Sequence, residues 1–173
     1  MSFIGAEKQG QTYAPGWFLV TDEDCVRKTR QIAQSGATTT AEGGKYVPMG
    51  TAYPSNDANA IGIVYEDVDV TDGDMPGSVV LQGTVYEDRL AITGASYDAV
   101  TPTTGDNPAE KGWYERSGSA GAYVYTLTDD TTVADGVTYY AKSAVRLASA
   151  AKTALAALGF KFVATSPAVT RPY

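Results

Sequence analysis

Short apolar runs separated by turn sequences make up most of the chain, a pattern typical of β-strands. The pattern is densest from residue 45 to residue 92, where Val68 and Val70 alternate with polar neighbours as in a half-buried strand. Three tyrosine-rich strands are predicted further along, at 112–116, 122–127 and 137–141. The sequence therefore predicts a mainly β fold.

Two helices interrupt this pattern. The first is predicted from Asp22 to Gln34, because Thr21 precedes three acidic residues and Gly36 follows the segment. Its apolar stripe is thin and consists of Val26, Ile32 and Ala33. The second is predicted from Ser143 to Leu158, with Gly159 as its C-terminal glycine. Its apolar face would hold Leu147, Ala151, Leu155 and Leu158.

These elements predict an α+β, mainly β protein with a compact β-rich core, barrel- or sandwich-like, and one or two helices. The core would comprise residues 1–97 and 144–173, with residues 1–16 as an N-terminal arm. A tyrosine-rich antiparallel β-meander would be inserted between them at 98–143. Because Pro102 to Asn107 is turn-rich, limited proteolysis is expected to cut there.

Charge and hydropathy argue against nucleic acid and membranes as partners, although the overall acidity leaves room for a local basic patch. The net charge is −7 over 173 residues, whereas nucleic-acid binding through phosphates normally needs a basic face. The chain also has no apolar run long enough to cross a bilayer, so a soluble protein made in a cytoplasm is expected. Residues 66–88 hold seven acids and no cation, and residues 141–173 hold five cations and no acid. These segments would either complement each other between subunits or form two solvated faces.

The residue types offer little for catalysis or metal binding. Histidine is absent, and the single cysteine, Cys25, lacks an activating base and is expected on the first helix, facing the core. The acidic run at 67–74 does not match a calcium-binding loop. Such a loop needs glycine at its sixth place and glutamate at its twelfth, where this chain has Asp72 and Ser78. Carboxylate pairs occur at 66–67 and 87–88, but nothing places two of them across a cleft. The prediction is a protein that is not an enzyme, with no cofactor and no metal.

The aromatic residues of the predicted meander allow two interpretations. Trp113, Tyr123 and Tyr125 are candidate glycan-contact residues, since aromatic rings stack on sugar faces. The alternative is cross-strand packing in a small sheet that has little else to bury. Under either interpretation, strand alternation predicts that Tyr123 and Tyr125 share one face.

Two parts of the chain carry a family resemblance. The residues that carry it are 45–51, 56–64, 67–71, 83–86, 89–90 and 154–162. On these patterns, the stretch from Trp17 to Leu90 and the C-terminal helix and strand resemble capsid decoration and head-fibre proteins of tailed phages of Gram-positive hosts. The middle, 107–143, departs from the shorter family pattern and resembles a small module appended to various phage structural proteins.

The resemblance implies a virion structural protein that binds the outer capsid surface as a decoration or head-fibre protein. Its partner would be the major capsid protein, its oligomeric state a homotrimer, and its location the capsid exterior after synthesis in the host cytoplasm. The resemblance also implies an N-terminal arm on the shell, with Phe3, Ile4 and Tyr13 as candidate capsid-contact residues. The alternative for this arm is a tail with no role.

Two rival functions come from other classes. The first is a carbohydrate-binding module for host adhesion on the virion, in which the insert's aromatic residues would bind a host surface glycan. The second is a hydrolase that uses paired carboxylates, which the absence of histidine and of any nucleophile motif weakens.

Overall fold

The computed structural model describes residues 14–166, and these form two compact units. Unit 1 comprises residues up to 93 together with those from 146 onward, and unit 2 comprises Gly94–Val145. The sequence placed the insert at 98–143, so unit 2 begins four residues earlier and ends two residues later than that segment.

The mainly β fold class is confirmed, with a single α-helix among residues 14–166. The strands are β1 (Val26–Ile32), β2 (Thr38–Thr39), β3 (Lys45–Val47), β4 (Ala52–Tyr53), β5 (Gly62–Val64), β6 (Val68–Asp69), β7 (Met75–Gln82), β8 (Thr84–Tyr86), β9 (Gly94–Ala99), β10 (Tyr114–Ser117), β11 (Val124–Leu127), β12 (Tyr139–Val145) and β13 (Lys161–Val163). The helix α1 is Ser149–Ala157, and a 3-10 turn covers Glu87–Arg89.

Unit 1 contains three small sheets. One is four-stranded and antiparallel in the order β1-β7-β5-β4, one is three-stranded in the order β2-β3-β6, and β13 pairs in parallel with β8. Across residues 14–166 no sheet closes into a barrel, so the barrel alternative for the core is wrong.

The β1-β7-β5-β4 sheet has a hydrophobic cluster on each face, because successive side chains of a strand point to opposite sides. Val80 and Ile63 belong to one cluster, and Val79 and Val64 belong to the other. The first cluster consists of Phe18, Leu19, Ala52, Ala60, Ile63, Val80, Val85, Leu90, Ala151, Leu155 and Phe160. The second consists of Ile32, Val47, Val64, Val68, Val70 and Val79. Val68 and Val70 are both buried, as their alternation predicted.

The helix predicted from Asp22 to Gln34 is wrong. Residues 26–32 form β1, which pairs antiparallel along β7, and the acidic residues before it form a turn. In that turn the Glu23 amide donates to the Thr21 hydroxyl at 3.2 Å. A helix here could bury only a thin apolar stripe, whereas the strand gains a backbone ladder with β7, so tertiary pairing overrides the local signals. Cys25 therefore precedes a strand, although it still packs against the first cluster.

The C-terminal helix is confirmed but is shorter than the predicted 143–158. It begins at Ser149, because residues 139–145 are held in β12 by pairing with β9. Ala151 and Leu155 are buried as predicted, whereas Leu158 follows the helix and is exposed. Gly159 adopts a φ of 96°, which places the glycine where the sequence predicted the C-terminal stop.

Unit 2 is a four-stranded antiparallel sheet in the order β11-β10-β12-β9. The sequence predicted only three of these strands. β9 was missed because Gly-Ala-Ser-Tyr-Asp-Ala has neither an apolar run nor apolar alternation. Gly94 and Val145 pair opposite each other, so the chain enters and leaves unit 2 through adjacent strand ends.

Candidate functional site: the tyrosine face of unit 2

The strand register of unit 2 sorts its side chains onto two faces. Tyr114 lies opposite Leu127 on one side and Tyr140 on the other, and residues directly opposite share a face. Alternation extends this face to the neighbouring strands. We call it the tyrosine face; its aromatic members are Tyr97, Tyr114, Tyr123, Tyr125 and Tyr140.

Four of these rings pack on one another. The rings of Tyr97 and Tyr125 are stacked, with centroids 3.9 Å apart and an interplanar angle of 4°. Tyr97 also meets Tyr114 edge-on at 5.2 Å, and Tyr125 meets Tyr140 edge-on at 5.2 Å. Offset and edge-to-face pairs of this kind stabilise beyond the area they bury. The cluster therefore serves unit 2 as a small core, as the packing interpretation expected.

The tyrosine face also carries the two cations of the sheet. The Arg116 guanidinium lies 4.2 Å from the ring centroid of Tyr123 and 5.0 Å from that of Tyr140. The Lys142 ammonium lies 5.7 Å from the centroid of Tyr114. Rings stabilise cations held over their faces, so both charges are positioned by the aromatic cluster.

The two acidic residues of the same sheet are on the opposite face. Asp98 pairs with Ala141 and Glu115 pairs with Tyr139, which the register places away from the tyrosine face. The Glu115 carboxylate accepts a 2.5 Å hydrogen bond from the Thr128 hydroxyl. The charged strand residues on the tyrosine face are therefore both cations, although the protein as a whole is acidic.

The opposite face is closed by the loops that flank β10 and β12. Tyr139 is fully buried there and packs against Trp113, with ring centroids 5.9 Å apart. The Tyr139 hydroxyl donates to Asp130 at 2.5 Å and accepts from the Ala134 amide at 3.1 Å. The hydrogen bond to the Asp130 carboxylate raises the pKa of Tyr139, since it favours the protonated phenol.

The three candidate glycan-contact residues occupy different settings. Tyr123 and Tyr125 lie on the tyrosine face, as alternation predicted: Arg116 is directly opposite Tyr125 and also covers the ring of Tyr123. Tyr123 is 42% exposed, whereas Tyr125 is half-buried in the cluster. Trp113 is on the other face against Tyr139, so it cannot act with the two tyrosines on one flat ligand.

Sequence reasoning missed Tyr97, because it missed the strand that carries this residue. The charge separation was also missed, since it depends on the pairing of β10 with β12 rather than on any single segment. Arg116 two residues after Tyr114, and Lys142 two residues after Tyr140, were available as signals. At strand spacing, each cation shares a face with its tyrosine.

The candidate capsid-contact residues Phe3, Ile4 and Tyr13 lie outside the described residues. The acidic run of unit 1 is described, and several of its carboxylates bind backbone amides. Asp67 accepts from the Met49 amide at 2.7 Å, and Asp74 accepts from the Gln34 amide at 2.8 Å.

Asp69 accepts from both the amide and the hydroxyl of Thr71, and these hydrogen bonds lower the pKa of Asp69. Much of the run therefore fixes turns of unit 1 through hydrogen bonds to the backbone.

The second predicted carboxylate pair is also held by internal contacts. Glu87 binds the Lys152 ammonium at 2.7 Å, and Asp88 accepts from the amide and hydroxyl of Ser166. Within residues 14–166, no group of three or more acidic or cysteine side chains is placed to hold a metal ion. In the same range, no helix is long and apolar enough to cross a membrane.

Comparison with known protein families, curated proteins and solved structures finds no match to this chain. The resemblance to phage decoration and head-fibre proteins therefore stays a prediction.

Proposed function

We propose that the protein is a virion structural protein of a tailed phage that binds the outer capsid surface as a decoration or head-fibre protein. Its partner in this proposal is the major capsid protein, and its oligomeric state is a homotrimer. Both come from the resemblance described above. Three features of unit 1 and its junction with the insert support the proposal.

The first feature is that the residues carrying the resemblance build the packing of unit 1. A Cβ atom on Gly62 would lie 2.5 Å from the Val80 carbonyl oxygen, so only glycine fits between these strands. A Cβ atom on Gly50 would lie 2.8 Å from the Ala91 amide nitrogen. Val64, at the end of the segment 56–64, is fully buried in the second hydrophobic cluster. The shared pattern is therefore one of fold, and unit 1 is the part of the chain to which a capsid-binding role is assigned.

The second feature is that hydrogen bonds within unit 1 hold together the two chain segments between which unit 2 is inserted. The Thr93 hydroxyl donates to the Arg146 carbonyl at 2.9 Å, and the Asn56 side-chain amide donates to the same carbonyl at 3.0 Å. The Asn56 carbonyl oxygen accepts from the Ala148 amide at 2.9 Å, and Arg146 donates to the Leu90 carbonyl. These bonds hold together the two chain segments that flank unit 2.

The third feature carries the proposal: unit 2 begins at Gly94 and ends at Val145, and these two residues pair with each other. A separate sheet has thus been added without interrupting either hydrophobic cluster of unit 1. Insertion of a domain in this way leaves a folded core intact. In the proposal, that core binds the capsid and unit 2 is an additional module.

The capsid contact is assigned in this proposal to the N-terminal arm, with Phe3, Ile4 and Tyr13 as the anchoring residues. An arm that orders only on its partner loses conformational entropy, which apolar contacts must offset. Deletion of residues 2–14 is expected to leave folding intact, as judged by circular dichroism and melting temperature. The same deletion is expected to remove most of the affinity for expanded capsids in a cosedimentation assay. Capsid binding as tight as that of the full chain would contradict the assignment of the contact to the arm.

Electron microscopy of virions with and without the protein tests the proposal as a whole. The expected result is extra density on the outer capsid surface only when the protein is present. Binding to sugars combined with no affinity for capsids would contradict it.

A second candidate function, a carbohydrate-binding adhesion module, is favoured by the charge separation in unit 2. Arg116 and Lys142 share a face with the exposed ring of Tyr123, while Asp98 and Glu115 are on the opposite face. A ring for stacking beside two cations suits a glycan that carries carboxylate or phosphate groups.

A glycan array tests this second candidate. The array is expected to show binding to acidic glycans and not to neutral ones, with the signal lost in Arg116→Gln. Lys111→Gln is the matched control, because Lys111 binds Asp106 at 2.8 Å in the loop before β10. Equal binding by the two variants would contradict a role for the tyrosine face.

A further inference from the structure

Among residues 14–166, β11 forms an edge of the unit 2 sheet that lacks the usual protection by charge. It is the terminal strand in the order β11-β10-β12-β9, and no charged residue occurs from Ser117 to Thr128. Three large side chains in this strand or next to it are nonetheless exposed: Tyr123, which precedes the strand, by 42%, Val124 by 59% and Leu127 by 57%. Natural proteins usually protect an exposed edge strand with charges, proline or a bulge, so an uncharged apolar edge indicates a pairing surface.

The hydrogen-bond register identifies which backbone groups of β11 point outward. The Thr128 amide donates to the Trp113 carbonyl at 3.0 Å, so the backbone groups of Thr128 face β10. In an antiparallel ladder these groups alternate in direction, which turns those of Thr126 and Val124 toward β10 as well. The amide and carbonyl groups of Tyr123, Tyr125 and Leu127 therefore point away from the sheet, ready to pair with another strand.

The edge strand of unit 1 differs from β11. β1 is also terminal in its sheet and exposed along most of its length, but it carries Arg27, Lys28 and Arg30. Two copies of β1 could also pair antiparallel about a two-fold axis. The registers that pair the most residues then place Lys28 or Arg30 of one copy opposite a cation of the other. Like charges directly opposite each other destabilise a strand pair, so β1 is protected against pairing with a second copy.

We propose that two copies of this chain associate by antiparallel pairing of their β11 strands about a two-fold axis at Tyr125. In this register Tyr125 lies opposite its own copy, Tyr123 lies opposite Leu127, and Val124 lies opposite Thr126. The outward amides and carbonyls of Tyr123, Tyr125 and Leu127 satisfy one another across the axis. The facing side chains are aromatic, aliphatic or β-branched, and these pairs stabilise sheets. A second copy is the fitting occupant because this strand, unlike β1, is complementary to itself.

The pairing has a consequence for the tyrosine face. A two-fold axis perpendicular to the sheet joins the two sheets edge to edge and keeps both tyrosine faces on the same side. Arg116 and Lys142 of the two copies then face the same direction. A polymeric ligand could engage both copies at once and gain avidity. If unit 1 is trimeric, each trimer has three β11 strands, and their pairing with β11 strands of other trimers raises the particle mass at least twofold.

Two matched double variants test the pairing in the full chain. V124K/T126K places lysine opposite lysine twice across the axis, whereas V124E/T126K places glutamate opposite lysine. Val124 and Thr126 are exposed, and in both variants the lysine introduced at position 126 lies opposite Glu115 within the chain. Sedimentation velocity over a range of concentrations is expected to show the particle mass doubling for the unchanged protein and for V124E/T126K. The dissociation constant of V124K/T126K is expected to be at least about tenfold weaker.

Leu127→Pro provides an independent variant. Proline is tolerated at an edge position whose amide faces away from the sheet, and it removes one outward donor. Circular dichroism and melting temperature establish that it folds, and its particle mass is expected not to double. The proposal is overturned if the unchanged protein does not double in mass at any concentration. It is equally overturned if V124K/T126K and Leu127→Pro double in mass as the unchanged protein does. Capsid and glycan binding are separate measurements, so their failure does not affect this test.

Discussion

Tyr97 and Tyr125 stack at 3.9 Å although their strands, β9 and β11, are the two opposite edges of one four-stranded sheet. Two strands separate them, so the sheet must twist and curve enough to bring the edges together over the tyrosine face. Tyr114 meets the ring of Tyr97 edge-on, and Tyr140 meets the ring of Tyr125 edge-on. This contact packs one face of a sheet that is too small to have a conventional hydrophobic core there.

A double-mutant cycle on Tyr97 and Tyr125 measures how much this contact stabilises the protein. Tyr97→Leu, Tyr125→Leu and the double variant are expected to give a coupling free energy of about 0.5–1.5 kcal/mol, the range found for aromatic pairs. The measurement is the free energy of unfolding in denaturant. A second cycle that combines Tyr97→Leu with Tyr123→Leu is the control. Its coupling should be near zero, because the ring of Tyr123 packs with Arg116. Equal coupling in both cycles would contradict a direct stack.

Acid should weaken the loop that precedes β10. Asp106 binds the Lys111 ammonium at 2.8 Å and accepts from the Thr103 amide at 2.8 Å, and these bonds lower the pKa of Asp106 from 3.8 to about 2. A carboxyl whose pKa is depressed by folding stabilises the protein above its unfolded pKa and loses that effect as the pH falls through its folded pKa. The stabilisation by Asp106 is therefore expected to be lost as the pH falls from 3.8 to about 2.

Melting temperatures across that pH window, for the unchanged protein and for Asp106→Asn, measure this effect. The variant should lose less stability than the unchanged protein as the pH falls, because it has no carboxylate to protonate. Asp129→Asn, an exposed residue of the same unit, is the control. If Asp106→Asn and Asp129→Asn flatten the profile equally, the loop contacts do not hold the charge of Asp106.

Gly62 and Gly94 should respond very differently to alanine. At Gly62 the new Cβ atom would meet the Val80 carbonyl oxygen at 2.5 Å, whereas at Gly94 nothing lies within 4 Å. Overpacking of this kind costs about 1–3 kcal/mol, while an exposed substitution usually stays within about 0.5 kcal/mol. Denaturant unfolding of the two variants provides the comparison. Similar losses of stability at both positions would contradict the close approach of β5 and β7.

The sequence predicted those parts of the fold that depend on local pattern. The alternation at Val68 and Val70, the presence of α1 and the stop at Gly159 are all signals within one segment, and the structure bears them out. The start of α1 was predicted six residues too early, because β12 holds the preceding residues. β1 was mistaken for a helix because its acidic turn imitates a helix cap. Only pairing with β7 makes that segment a strand.

The candidate site could be predicted only in part, for a similar reason. Alternation alone placed Tyr123 and Tyr125 on one face, and the structure agrees. The position of Trp113 on the opposite face, and the contact between Tyr97 and Tyr125, depend on how four strands are ordered and curved. Strand order is set by long-range pairing, which no local periodicity reports.

Removal of unit 2 should leave unit 1 folded. Gly94 and Val145 are direct partners in β9 and β12, and the Thr93 hydroxyl already binds the Arg146 carbonyl at 2.9 Å. A two-residue Gly-Gly link in place of residues 94–145 therefore spans a gap that the native chain keeps short. Neither hydrophobic cluster of unit 1 includes a residue from the deleted segment, so a cooperative unfolding transition is expected.

The shortened protein also separates the two candidate functions. Capsid binding is assigned to unit 1 and acidic-glycan binding to the tyrosine face, so the deletion is expected to keep the first and abolish the second. The control is the full-length Arg116→Gln variant, which should likewise bind capsids but not acidic glycans. A deletion variant that folds cooperatively and still binds acidic glycans would place the glycan site outside unit 2. One that folds but no longer binds capsids would place the capsid contact within residues 94–145.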